Sequence, residues 1–171
     1  MTFKNPVERP WPPQVAAERT ALAGQLDYHR ATILMKFDGL DDEQATRVMV
    51  PSGLSMLSLL KHMADNEHSW FAKIFAGLDE PGFYSAEDDP QAEWRIDPGD
   101  TIDSIAADYQ RVCQRSRDIV AAAPSFDQVV VTPWQEQIDL RGVTIHMIEE
   151  TARHNGHADI MRELLDGTTG A

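Results

Sequence analysis

The sequence predicts an all-α fold, a four-helix bundle. Three observations carry that expectation. Four stretches of roughly 22 residues place apolar side chains at helical spacing. Glycine, proline or capping residues bracket each stretch, so the helices have defined ends. Strand-like patterning is confined to one short segment ahead of the last helix.

The chain opens with an arm. Pro6, Pro10, Pro12 and Pro13 make residues 1–13 extended rather than helical, because proline removes backbone donors and biases its predecessor away from the α region. The bundle domain is expected over residues 14–167. Its first helix runs from about Gln14 to Phe37, with Leu22, Leu26, Ile33, Leu34 and Phe37 at helical spacing and Asp38-Gly39 as the stop. The second runs from about Leu54 to Ala76, introduced by Pro51-Ser52-Gly53 and closed by Gly77.

A long connection, 78–99, follows. It holds Pro81, Gly82, Pro90, Pro98 and the acidic run Glu87-Asp88-Asp89, and its length makes it either a lid or a solvated loop. The third helix spans about Ile102 to Ala123, capped by Asp100 or Thr101 and ended by Pro124. Val129-Val130-Val131 and Gln137-Ile138-Asp139-Leu140, around Pro133-Trp134, predict a short β-like hairpin. The fourth helix runs from about Val143 to Leu165, with Gly167 as its stop.

Charge excludes some functions. Against 15 Lys and Arg stand 28 Asp and Glu, for a net charge of −13, and the basic residues are scattered singly. Such a surface repels phosphate backbones and anionic lipid, so neither nucleic acid nor membrane is an expected partner. No apolar run reaches the roughly 18 residues that span a bilayer, and the first residues lack a secretion signal. With a single cysteine, Cys113, the chain has no internal disulfide framework, which fits a reducing cytoplasm.

Chemistry concentrates on the fourth helix. At about 100° per residue, His146, Glu150, His154 and His157 fall within an arc of roughly 80°. Val143, Met147, Met161, Leu164 and Leu165 share that side, whereas Glu149, Asn155, Asp159, Arg162 and Glu163 lie opposite or on the flanks. A carboxylate facing a core needs a counter-charge, a network or a metal. Glu150 and His154 are one turn apart and can reach a common ion. Packed core polar residues would give the same pattern.

A ligand from a facing helix is still required. His62 is a candidate, although periodicity groups it with Ser58, Asp65, Asn66, Ser69 and Lys73 outside the apolar arc of the second helix. That strip either faces solvent or lines a polar pocket at the open end of the bundle. Glu67 and His68, nearer the apolar side, are rival inward groups.

The segment Leu60-Lys61-His62-Met63-Ala64-Asp65-Asn66-Glu67-His68-Ser69-Trp70-Phe71 resembles the second-helix signature of the DinB/YfiT-like superfamily. His146-Met147-Ile148-Glu149-Glu150-Thr151-Ala152-Arg153-His154-Asn155-Gly156-His157-Ala158-Asp159-Ile160-Met161-Arg162-Glu163 resembles the fourth-helix signature of its actinobacterial mini-circle protein branch. The order of helices and the connection carrying Trp134 extend the likeness over most of the chain.

The resemblance implies a divalent metal at the mouth of the bundle, held by His62, Glu150 and His154. Many relatives carry histidine where this chain has Glu150; the similar mycothiol-dependent maleylpyruvate isomerases share the glutamate. His157 would act beside the ligands, by orienting one or by moving a proton. Two imidazoles and a carboxylate leave coordination positions open and suit zinc first, with nickel, manganese or iron(II) also accommodated. Such an ion brings the pKa of bound water near 7, or holds a thiol as thiolate.

What the likeness implies is a metal-dependent S-transferase acting with a low-molecular-weight thiol of the mycothiol type on an electrophile. Two alternatives stay open: a metal-dependent hydrolase with Glu67, His68 or His157 as base, and a non-catalytic metal-binding bundle. A homodimer is expected from the superfamily's habit of pairing, with Ile148 on the outward side of the fourth helix. Cys113, in mid-helix, reads as a packed thiol rather than a nucleophile.

Overall fold

The computed structural model describes residues 1–170. Its helices are α1 (Glu18–Met35), α2 (Asp42–Thr46), α3 (Met56–Glu67), α4 (Ile102–Ala122) and α5 (Leu140–Asp166). α3 continues without a break into a π-helical segment, His68–Phe75, in which Ala76 N–H donates to the Phe71 carbonyl five residues back. α1 packs most extensively on α5, and α3 on α4, giving the expected bundle. One apolar cluster joins Ile33, Phe37, Leu40, Met56, Leu60 and Tyr109. A second joins Leu26, Phe71, Phe75, Phe126, Val143 and Met147 at the hairpin end.

Side-chain caps set the helix starts. Asp41 with Gln44, Ser55 with Ser58, and Thr101 with Ser104 form reciprocal capping boxes at α2, α3 and α4. Asp139 accepts from Gly142 N–H at 2.7 Å, so α5 begins at Leu140, three residues before the expected Val143. Gly167, at φ 80°, closes it. The hairpin forms from β1 (Val129–Val131) and β2 (Gln137–Asp139), paired antiparallel with Val130 opposite Ile138. None of the helices among the described residues is long and apolar enough to cross a membrane.

The arm is packed on the body. Phe3 is buried, its N–H donates to the Leu40 carbonyl at 2.8 Å, and its carbonyl accepts from Gly39 N–H at 2.9 Å. α1 starts at Glu18 rather than Gln14. Two wheel assignments on α5 fail. Leu164 is 63% exposed because the last turn projects past the core, whereas Asn155 is buried and donates to the His29 carbonyl at 3.1 Å. Ile148, expected outward, is half-buried against the second cluster.

The connection 78–99 is a fixed wall rather than a loose lid. Buried Lys61 donates to Asp97, Asp100 and the Arg95 carbonyl at 2.8–2.9 Å. Asp65 accepts from Tyr84 N–H at 2.7 Å and from the N–H and hydroxyl of Ser85 at 2.9 and 2.8 Å. Tyr84 in turn donates its hydroxyl to Asp108 at 2.6 Å. These anchors bring the short 3-10 turn Ala92–Trp94 over the polar strip of α3.

Burial pushes the Asp65 carboxyl up, but the hydrogen bonds from Ser85 and Tyr84 outweigh it and leave it below its ordinary value. A folded value below the unfolded one stabilises fully above about pH 4, and that contribution fades as pH falls through the folded value. Asp65→Asn should therefore cost about 1.5–3 kcal/mol at pH 7 through loss of a charged acceptor. It should also speed amide exchange over 84–96 and flatten the acid limb of the stability profile. Urea titrations at several pH values and hydrogen exchange check this; unchanged exchange over 84–96 contradicts the anchoring role.

Candidate metal centre

α5 supplies two groups and α3 one. Successive turns of α5 place Glu150 Oε2 at 3.2 Å from His154 Nε2. His62 reaches across from α3, its ring edge-on to that of His154, with centroids 5.0 Å apart and planes at 75°. One ligand atom from each of His62, Glu150 and His154 lies within 4.8 Å of the others. That spacing lets one ion touch all three, since typical metal–ligand bonds are about 2.0–2.2 Å.

His62 is not the solvent-facing residue that periodicity favours. Its side chain is 12% exposed because the 3-10 turn covers it. Trp94 stacks on the imidazole at 3.9 Å and 18°. Asn66 Nδ2 lies 2.9 Å from His62 Nε2, and Glu93 Oε1 lies 3.2 Å from Nδ1. The carboxylate is near enough to pair with a charged ring but is out of line for a hydrogen bond, so His62 Nδ1 is a buried nitrogen without a hydrogen-bond partner. A buried imidazole nitrogen without a protein partner fits a metal ligand.

Electrostatics agree with that fit. Burial, followed by the neighbouring His62, pushes the His154 imidazole down to about 4, with Glu150 opposing. At neutral pH it carries no proton on one nitrogen, and neutral imidazole is the coordinating form. The donor set, two nitrogens and one carboxylate, fits a divalent transition ion.

The other polar groups take separate roles. His157 is exposed, with Nδ1 at 3.3 Å from His154 Nδ1, so it touches one member of the three-residue cluster and stands apart from the cluster itself. His146 packs on Trp70 at 4.0 Å and falls in a second grouping with Glu149 and Glu150, where Glu149 is paired with Arg153. Glu67 is fully buried and committed to Arg30, whose Nε and Nη2 donate to it at 2.7 and 2.6 Å. His68 points the other way, its Nε2 3.0 Å from the Pro81 carbonyl. Cys113 is buried, and burial drives its thiol pKa far up, which removes it as a nucleophile.

Sequence reasoning missed Glu93, Trp94 and Asn66 as neighbours of His62. Asn66 stood in the recognised polar strip, one turn beyond His62. Glu93 and Trp94 sit in a connection without periodicity, where only its unusual length gave a signal.

A family model described as mycothiol-S-transferase matches residues 21–167. No match was found among curated proteins. A solved structure described as the conserved protein of locus from Enterococcus faecalis superposes with a TM-score of 0.64 at 15% identity. It covers 90% of this chain and 100% of its own. At that identity the likeness speaks for the fold.

Proposed function

Because the chain belongs to the mycothiol-S-transferase family of the DinB/YfiT-like superfamily, we propose that it is a metal-dependent transferase joining a low-molecular-weight thiol of the mycothiol type to an electrophile. The observation that carries this reading is the convergence of His62, Glu150 and His154 within 4.8 Å at the bundle mouth. Zinc is the proposed ion. A divalent ion held there supplies Lewis acidity that favours the thiolate form of a thiol at neutral pH.

The chain's own residues do the rest. His62, Glu150 and His154 would hold the ion, and three protein ligands would leave room on it for substrate. Trp94 lies flat on His62 and keeps water from that side. In the reaction a sulfur–carbon bond forms, the bond from that carbon to the leaving group breaks, and the leaving group departs with the electron pair. The thiol proton passes to water. Where the leaving group is basic, His157, exposed beside His154, donates a proton to it and regains one from solvent; chloride leaves without one. A reduced thiol cosubstrate and one buried cysteine suit a cytoplasmic setting.

The test is zinc-loaded protein with mycothiol and 1-chloro-2,4-dinitrobenzene. The expected result is conjugation above the uncatalysed rate, abolished by chelation and restored by zinc. Equal conjugation by His154→Ala defeats the reading. Thiol-independent ester or amide turnover puts the hydrolase in its place, and a blank screen with strong loss of melting temperature on chelation leaves a structural ion.

A further inference from the structure

Polar residues of α3 and of its π-helical continuation line two clefts near His62, which itself lines neither. Ser58, one turn before His62, lines a cleft of about 400 Å3 with Leu54, Gln91, Trp94, His154 and His157. Asp65, Ser69 and Lys73, beyond His62, line a second cleft of about 940 Å3, bounded by Pro133 of the hairpin turn. The divider is the 3-10 turn. Its consecutive residues Glu93 and Trp94 face different clefts, Glu93 the larger and Trp94 the smaller, and both touch His62.

We propose, resting on the transferase reading above, that the Glu93–Trp94 turn splits the bundle mouth into two substrate sites. A polyhydroxylated thiol without net charge takes the larger cleft. A smaller apolar or aromatic electrophile takes the cleft beneath Trp94. The metal cluster lies at the partition, where both reacting atoms can meet.

Size and charge assign the occupants. Both volumes lie in the usual range for small-molecule sites, roughly 300–1,000 Å3, but only the larger suits a glycoside-sized conjugate. Its lining holds five carboxylates (Asp65, Asp79, Glu80, Glu87 and Glu93) against one amine, Lys73. Asp65 and Glu80 are already engaged by the loop and by Arg115. Asp79 and Glu87 remain on the exposed rim, where carboxylates accept from sugar hydroxyls. Lys73 and the Ser69 hydroxyl offer donors to hydroxyl and amide oxygens. The same negative wall disfavours an anionic thiol such as glutathione. The smaller cleft has no carboxylate and no Lys or Arg; Leu54 and the Trp94 face give it apolar surface beside two imidazoles.

Two rim substitutions outside the ligand set test the division. Ser69→Trp fills the larger cleft and Gln91→Trp the smaller, with circular dichroism and melting curves as folding controls. Ser69→Trp should weaken calorimetric binding of S-methyl mycothiol to the zinc-loaded protein by about tenfold or more. It should raise KM for mycothiol and leave KM for 1-chloro-2,4-dinitrobenzene nearly unchanged. Gln91→Trp should do the reverse. Wild type should bind S-methyl glutathione at least about tenfold more weakly than S-methyl mycothiol. If wild type conjugates but both substitutions strike the same substrate, or the pattern is inverted, the two-cleft assignment is overturned while the transferase stands. If wild type binds no thiol, both fall together.

Discussion

Arg30→Ala should lower the unfolding free energy by about 3–5 kcal/mol, the usual cost of stranding one member of a buried ion pair. Arg30 is 5% and Glu67 0% exposed, and two near-parallel charge-assisted bonds join them between α1 and α3. Removing the guanidinium leaves the fully buried Glu67 carboxylate without its two charge-assisted donors. Arg30 also donates to Asp27 at 2.9 Å, so the loss reaches the helix surface. The double variant Arg30→Met/Glu67→Leu should recover most of the loss, because an apolar pair avoids the desolvation that the ion pair must offset. Urea unfolding of the three proteins checks this. A single variant within about 1 kcal/mol of wild type shows that the pair is not a stabilising lock.

Glu150→Gln should weaken metal binding by more than about 100-fold. Loss of a partner that merely orients a ligand costs about 10–100-fold, and a carboxylate in the cluster contributes charge as well as a donor atom. The glutamine keeps the volume of Glu150, whose side chain is only 17% exposed, so folding should be preserved. It removes the negative charge that offsets two imidazoles and a dication. Glu149, one residue earlier, is an internal comparison. It is paired with Arg153, and Glu149→Gln should change zinc affinity by less than about threefold. Chelator competition measures both. Equal effects from the two substitutions place the ion elsewhere on α5.

The helices were readable because their causes are local. Periodic apolar residues, the Pro51-Ser52-Gly53 lead-in, the Thr101 cap and the Gly167 stop set three of the four long helices to within a few residues. The starts of α1 and α5 were misplaced, and α2 was missed. Those depend on Pro13 packing near Gly24, on Asp139 reaching Gly142, and on a five-residue helix too short to show a period.

The α5 half of the site was legible for the same local reason: Glu150 and His154 stack one turn apart. The α3 half was not, since only tertiary packing decides whether a polar strip meets solvent or a neighbour. His62 became a ligand candidate through family likeness, against its own periodicity. Its burial comes from Trp94, brought over it by Lys61 and Asp65, which hold the connecting loop from 36 and 20 residues away in sequence. Glu67 shows the reverse error. It reads as an inward base, but a long-range partner on α1 consumes it.

The most direct test of the shared cluster is X-ray absorption at the metal edge on protein purified without a histidine tag. Wild type should show one ion per chain, surrounded by two imidazoles and at least one carboxylate oxygen, and His62→Ala should lose one imidazole from that shell. A wild type without bound ion, or a His62→Ala spectrum identical to it, contradicts coordination shared between α3 and α5.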